Sequence, residues 1–444
     1  MSASRINSEE RQGKKMHIEI WLPLLLMFLF FAMRIPVAFS ILISTLVYFL
    51  FFNNTIADTV IVQQVIAGSE SFTFLAIPFF VTAGVVFNYA GISTRIINFC
   101  KVLVGHIRGS LALVNVLCST LMGGLSGSAN ADAAMESKFI VPEMVKNGYD
   151  LDYSTVVTAC SSCITPIIPP GIILIMYASV ADVSIARMFY AGYLPGIILC
   201  ITMMILCWRI AVKQGYGSVR EKARGKEIWK VTKDAAWALF LPFGLIMGLR
   251  IGMFTPTEGG AMCVVYALLV GKFVYKELKW SDLKPIIIES VEGTAGVMFI
   301  IAAAKAFGLY LSWERVPITI SEAIISFCSN KYQFLLLVNL LLLVIGCFFD
   351  GTAALLLIGP LLIPAAKSYG IDLIHFGIIL SINLTLGGVT PPFGGMMYVA
   401  TSITGSTIEG YARKALPFLA VMIGCLLLFT YVPDIVLLIP RLLS

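Results

Sequence analysis

Charge is what this chain has least of. Only 13% of its 444 residues are Asp, Glu, Lys or Arg, against 59% hydrophobic, whereas a soluble domain keeps about 25% charged residues to wet its surface. That shortage excludes a water-soluble globular protein and leaves a polytopic membrane protein. Histidine is nearly absent, at three residues, and the ten cysteines are scattered. The one tight pair, Cys160 and Cys163, lies inside an apolar run, so neither a zinc site nor a disulfide framework is indicated and both thiols read as packing residues. A span takes about 20 mostly apolar residues; the length holds several such spans with connectors and no large aqueous domain. A receptor or membrane enzyme with its catalytic part in water is thereby excluded. The first apolar run, 20–33, leads into the second, 35–52, with no small-residue cleavage site between them, so no signal peptide is expected.

The charge that is present is unevenly placed. Net charge is +6, and Lys213, Arg220, Lys222, Arg224, Lys226, Lys230 and Lys233 crowd one connector, which the positive-inside rule makes cytoplasmic. The basic stretches 95–108 and 272–284 read as connectors on the same side. Further spans are expected at 73–90, 153–181 (interrupted), 186–212, 236–252, 258–275, 293–312, 373–405 (interrupted) and 415–438. Residues 111–143 and 335–366 are each apolar, break at a small polar cluster and resume. They read as re-entrant hairpins, since irregular backbone at membrane depth survives only under a cover of protein or around a cavity.

The chain also repeats itself. At an offset of 224, Asn115, Gly127 and Ala129 recur as Asn339, Gly351 and Ala353; at 222, Asp150, Pro169, Pro170 and Pro195 recur as Asp372, Pro391, Pro392 and Pro417. Shared Leu would be composition; shared Asn, Asp and paired Pro are not. Counting spans from the basic loop opens the first hairpin to the cytoplasm and the second to the opposite side, so the repeats are expected to be inverted. The same count puts both termini in the periplasm, although Arg5, Arg11, Lys14 and Lys15 favour the inside. The expected layout is an N-terminal extension, 1–19; two scaffold spans, 20–54; a first repeat, 55–212; the cytoplasmic loop, 213–235; two scaffold spans, 236–276; and a second repeat, 277–444. The fold class is all-α and polytopic, with inverted repeats, two re-entrant hairpins and two broken helices. That combination is a signature of secondary transporters with a site near midplane.

The breaks carry the chemistry. The first tip runs from Gly123 through Ser126-Gly127-Ser128-Ala129-Asn130 to Asp132, the second reads Asp350-Gly351-Thr352-Ala353, and their hydroxyl and carboxylate oxygens are hard ligands for a small cation. Small residues at such a place also serve simply to pack helices. Pro169 and Pro170 deprive the carbonyls of Thr165 and Pro166 of their helical donors, as Pro391 and Pro392 do for Gly387 and Gly388. An unsatisfied carbonyl at mid-membrane costs several kcal/mol. A single Pro pair is a kink; two in register point to two cation sites. Na+ is the expected occupant, because a proton pathway calls for a string of buried carboxylates that the sequence does not show. An anionic substrate is expected between the tips, held by Ser128, Asn130 and half-helix N-termini, whose dipoles end positive. Lys305 lies mid-span, where a charge is by default functional, and adds positive potential there; the alternatives are a subunit contact or snorkelling. Arg315 is a second cation near the same span's end, where a solvated interfacial role also suits it.

Two protease patterns compete for the same residues. Gly124-Leu125-Ser126-Gly127 matches the Gly-x-Ser-Gly of rhomboid-type intramembrane proteases, for which His375, at a span end, is the only later histidine. Asp350 beside Gly351 faintly matches aspartyl intramembrane proteases, but no second span Asp accompanies it.

Taken together the motifs resemble the large membrane subunit of TRAP transporters (tripartite ATP-independent periplasmic transporters, DctM-like) over about 22–438. The resemblance rests on Ala76-Ile77-Pro78-Phe79-Phe80 with Ala83-Gly84, Ser126-Gly127-Ser128-Ala129 followed by Ala131-Asp132, and Ile168-Pro169-Pro170. It rests further on Ala191-Gly192-Tyr193-Leu194-Pro195-Gly196, and on His375-Phe376-Gly377 leading to Thr390-Pro391-Pro392-Phe393-Gly394. It implies an elevator-type, Na+-driven importer in a bacterial inner membrane, working with a small four-helix membrane subunit on a separate chain and a periplasmic substrate-binding protein. The implied substrate is a small organic anion such as a C4-dicarboxylate or sialic acid; no nucleic acid is involved. By the same resemblance the first Na+ site takes Ser126, Ser128, Thr165, Ile168 and Pro170, and the second Asp350, Gly351, Thr352, Gly387, Thr390 and Pro392. The sequence departs from the family twice. Gly171 stands where Ser usually follows the Pro pair, which puts the usual substrate contacts at that position in doubt, and Glu136 stands where Gly is usual. A stand-alone carboxylate transporter, a passive anion channel and an intramembrane protease are the rival readings.

Overall fold

The computed structural model describes residues 20–53 apart from 32 and 34, then 56–218 and 221–443. The extension 1–19 with its basic residues, and Arg220, lie outside the described residues. A backbone in lipid must satisfy its own hydrogen bonds, which in one segment only a helix does, and every regular element among the described residues is helical. In chain order these are α1 Ile20–Phe31, α2 Val37–Phe51, α3 Asp58–Ser69, α4 Ala76–Tyr89, α5 Ile92–Val104, α6 Ser110–Ser126, α7 Ala129–Lys146, α8 Leu151–Ser161, α9 Ile172–Ala181 and α10 Ile185–Gln214. There follow α11 Gly225–Arg250, α12 Pro256–Leu269, α13 Leu283–Trp313, α14 Val316–Phe327, α15 Lys331–Phe348, α16 Gly351–Ser368, α17 Leu373–Gly387, α18 Gly395–Thr404, α19 Ile408–Tyr431 and α20 Pro433–Leu443. Seven helices among the described residues are long and apolar enough to cross a membrane unaided.

Three helices, α3, α5 and α14, fall where no span was expected. The stretch 95–108 is not a connector throughout: α5 is amphipathic, burying Ile92, Ile96 and Cys100 at four-residue spacing while its basic residues find partners outside it. It leaves α4 at a bend of 70°. The Arg95 guanidinium lies 3.7 Å over the Tyr275 ring and pairs with Glu277 at 2.7 Å and Asp234 at 3.6 Å. Gly109 N–H donates to the Gly217 carbonyl at 3.0 Å. These contacts gather the three basic stretches at one end of the molecule.

The first break, 162–171, is buried throughout, whereas the second, 388–394, exposes Pro392 and Phe393. All of α17 from Ile374 to Gly387, and α8 from Tyr153 to Ser161, are buried, polar side chains included. A smaller second core joins α1 and α2 to α13, α14 and α16 through Tyr48, Phe49, Phe307 and Tyr310. Each sequence repeat forms a helical hairpin, α6–α7 or α15–α16, followed by a broken pair, α8–α9 or α17–α18, with both Pro-Pro bonds cis. The repeats make matching contacts: Ser161 donates to Asn115 Oδ1 at 2.9 Å and Asn383 donates to Asn339 Oδ1 at 2.9 Å. The two breaks touch where Cys163 Sγ meets the Thr385 carbonyl at 3.4 Å.

Candidate functional site

The first tip turns at Gly127, whose φ of +59° favours glycine. A Cβ there would lie 2.3 Å from the Pro170 carbonyl oxygen, and Ile172 N–H donates to the Gly127 carbonyl at 3.4 Å. Tip and break are therefore locked backbone to backbone. Ser128 caps α7, accepting from Ala131 N–H at 3.5 Å, while the Ser126 hydroxyl is buried with no partner among the described residues. The second tip is capped by Asp350, which accepts from Thr352 N–H at 3.0 Å and from the Thr352 hydroxyl. Behind it Gly387 lies so close to Gly346 that a Cβ would stand 2.4 Å from the Gly346 Cα.

Between the tips lies an open cavity of about 480 Å3. Ser128 and Asn130 line it from the first tip, Asp350, Gly351 and Thr352 from the second, and Gly293 and Gly296 of α13 close one wall. Asn130 Nδ2 reaches Asp350 Oδ2 at 3.5 Å across it. The first residues of four helices, Ala129 (α7), Ile172 (α9), Gly351 (α16) and Gly395 (α18), all line this space. Each N-terminus carries roughly +0.5 charge. Among the described residues Asp350 is the one charged side chain on the lining, and no Lys, Arg or His contributes to it.

Neither cation expected beside the substrate reaches it. Lys305 lines a separate cavity of about 400 Å3 with Gln64, Ser312 and Pro360. On α13 it stands nine residues beyond Gly296, about 13 Å along the axis and half a turn round. Arg315 is exposed at the start of α14, with φ of +54°. Gly171 is buried off the cavity; a Cβ there would lie 1.8 Å from the Pro166 carbonyl oxygen, so this backbone has no room for a serine.

Of the first cation set, Thr165, Ile168 and Pro170 are buried beside the tip: a Cβ on Gly123 would meet both Thr165 O and Ile168 Cβ at 2.9 Å. Ser126 and Ser128 share a cavity of about 310 Å3 with Asp132. Of the second set, Asp350, Gly351 and Thr352 line the central cavity, whereas Gly387, Thr390 and Pro392 do not. The freed carbonyls behave differently in the two breaks. Gly387 O accepts from Thr390 N–H at 3.0 Å and Gly388 O from Met396 N–H at 2.9 Å, because the second break folds back on itself; no donor among the described residues reaches Thr165 O or Pro166 O. The expectation of unsatisfied carbonyls in both repeats is corrected to the first alone.

The structure also buries what the sequence left unassigned. Asp132 and Glu136, one turn apart on α7, are 2% and 0% exposed. Thr165 Oγ1 lies 2.9 Å from Asp132 Oδ2, and Ser119 Oγ 2.8 Å from Glu136 Oε2. Their i, i+4 spacing was readable; their burial was not. His375, by contrast, is no partner for Ser126: its Nε2 pairs with the Phe429 carbonyl at 2.8 Å.

Comparison with known proteins agrees with this architecture. Residues 24–435 match the family model described as the tripartite ATP-independent periplasmic transporter, DctM component. The chain is 38% identical over 407 residues to the sialic acid TRAP transporter large permease protein SiaM of Vibrio cholerae serotype O1, covering 92% of this chain and 95% of that one. It is 34% identical to the C4-dicarboxylate TRAP transporter large permease protein DctM of Rhodobacter capsulatus, covering 92% and 96%. Among solved structures, the Neisseria gonorrhoeae efflux pump MtrF superposes with a TM-score of 0.58 at 12% identity, over 94% of this chain and 97% of that chain. The Alcanivorax borkumensis transporter YdaH gives 0.59 at 12%, over 84% and 87%; both likenesses concern the fold alone. The protein is a multi-pass protein of the inner membrane and belongs to the DctM family, the large membrane subunits of TRAP transporters.

Proposed function

We propose that the chain couples Na+ to the uptake of a small organic anion, such as a C4-dicarboxylate or a sialic acid, delivered by a periplasmic binding protein. A small four-helix subunit completes the assembly. The observation that carries this reading is the central cavity, on which two helix-capping tips and four helix N-termini converge. Those N-termini together present about +2 of partial charge against the single Asp350, so an anion is held without a basic side chain, and Na+ at the tips adds the rest. Ser126, Ser128, Thr165, Ile168 and Pro170 form one Na+ site and Asp350, Gly351, Thr352, Gly387, Thr390 and Pro392 the other. The orphaned Ser126 hydroxyl and the free Thr165 carbonyl suit the first; the Asp350 carboxylate suits the second.

Movement is by an elevator, the two hairpins and broken helices sliding against the remaining helices. A seam of cavities separates α7 from α4, α5 and α13, which supports a boundary there. The test is uptake into vesicles holding this chain and the small subunit, with and without binding protein. Uptake is expected only with an inward Na+ gradient and the binding protein; transport unchanged when choline replaces Na+ would overturn the coupling, and full uptake without binding protein would make this a stand-alone carrier.

A further inference from the structure

Glu136 is fully buried, with Oε1 unpartnered and Oε2 held only by Ser119 Oγ at 2.8 Å. Its neighbours make an ionised carboxylate there expensive. On its own helix the nearest titratable group is Asp132, also buried with an unpartnered Oδ1. From α6 it is faced by the Cys118 thiol, which in turn meets Cys100 of α5. From α8 come hydroxyls only, Ser161 and Ser162; the one charged residue of α8, Asp152, lies more than two turns away and bonds to Ser406. The third helix packed on α7, α18, carries no Asp, Glu, Lys, Arg or His. Among the described residues neither acid has an ion-pair partner. Two like charges one turn apart in a buried setting cost several kcal/mol apiece.

We propose that Glu136 carries a proton, as a neutral carboxylic acid, and that transport by this chain requires that proton. The hydroxyls around it are arranged to receive it. A Glu136 O–H donating to Ser119 Oγ lets Ser119 donate to Ser161 at 3.0 Å and Ser161 to Asn115 Oδ1 at 2.9 Å, so each serine in this chain donates once and accepts once. Turning the Asn115 amide over runs the chain the other way towards an ionised Glu136, but leaves the charge in the core uncompensated. A route for exchange exists. Asp132, one turn from Glu136, lines the 310 Å3 cavity; that space shares Asn88, Ala131, Met135 and Glu289 with a second of about 600 Å3 that reaches Lys101, Lys138 and Glu143. Glu136 itself lines neither cavity, so in the proposed step water enters from the Asp132 side to take the proton from the Glu136 carboxyl oxygen, leaving the carboxylate behind when the proton departs.

The requirement in transport rests on the uptake function proposed for the chain, whereas the protonation state does not, so the experiment has two arms. In infrared spectra of membranes holding the assembled transporter, the parent is expected to show a protonated-carboxyl C=O stretch that Glu136→Gln lacks and that fades as the pH is raised. Identical spectra at every pH would overturn the proposal. In Na+-driven uptake, the parent is expected to lose about tenfold as the pH is raised far enough to strip the proton, while Glu136→Gln, isosteric and neutral, keeps its rate over the same pH range. Superimposable pH profiles would overturn the transport requirement. Should the parent show no Na+-driven uptake at any pH, the uptake function falls and the infrared comparison alone decides for or against the proton.

Discussion

Behind the first tip stand Asp132 and Glu136; at the matching positions behind the second stand Leu356 and Pro360, and the acid has moved forward to Asp350 at the tip itself. The two hairpins otherwise share their plan, down to the Asn115–Ser161 and Asn339–Asn383 contacts. The difference is one of solvent. Asp350 is exposed on a cavity wall, whereas Asp132 is buried at the edge of a side cavity and Glu136 is sealed behind it, where a bare carboxylate is costly. The breaks differ in the same sense, the second satisfying its own carbonyls and the first leaving Thr165 and Pro166 unpaired. A repeated sequence has thus produced a first half-site that buries its acids and leaves its break carbonyls open, and a second that satisfies its own carbonyls and sets its acid on the cavity wall.

The sharpest way to break the comparison is to make the same substitution in both tips. Gly127→Ala forces a left-handed backbone on alanine, about 1–2 kcal/mol, and drives its Cβ to 2.3 Å from Pro170 O. Uptake should fall below about a tenth of the parent's, with a lower unfolding temperature. Gly351→Ala meets nothing closer than 3.5 Å and should leave both within the scatter of a neutral change. Equal damage at the two tips would mean that the locking of the first is not what matters.

A smaller effect is expected from the hydroxyls. Ser128→Ala and Thr352→Ala each remove one oxygen worth about 1 kcal/mol, and should raise the half-saturating Na+ concentration about fivefold, measured as uptake against Na+ at fixed substrate. An unchanged Na+ dependence in either variant would remove that residue from its cation site. The smallest effect belongs to Lys305→Met. Because Lys305 faces a different cavity, the half-saturating substrate concentration should stay within about twofold of the parent's; a rise of several-fold would put the Lys305 charge back into the substrate's field.

Much of the site was legible because its residues are unusual for a membrane interior. Paired prolines, a Ser-Gly-Ser turn and an Asp in an apolar run are conspicuous, and the recurrence of the tips and of the paired prolines at a nearly fixed offset marked both tips and both breaks. Lys305 misled for the same reason. A lone charge in an apolar run attracts a functional reading, and only the helical phase of α13 shows that it points away from Gly293 and Gly296. Helices α3, α5 and α14 were missed because they are short or amphipathic, and a basic amphipathic helix looks like a charged connector until its partners at Asp234, Tyr275 and Glu277 are in place.

By itself the sequence determined the class of molecule: an apolar chain with scarce charge has to be helical in lipid, and breaks placed twice in register have to be covered by protein or line a cavity, since nothing else tolerates open backbone there. Tertiary structure alone decided which polar groups face the cavity and which are sealed behind it. Asp350 and Glu136 are both acids set in largely apolar hairpins. One ends in water and the other in a closed core, because burial depends on helices far away in the chain, and the energy of a carboxylate depends on burial more than on its neighbours in sequence.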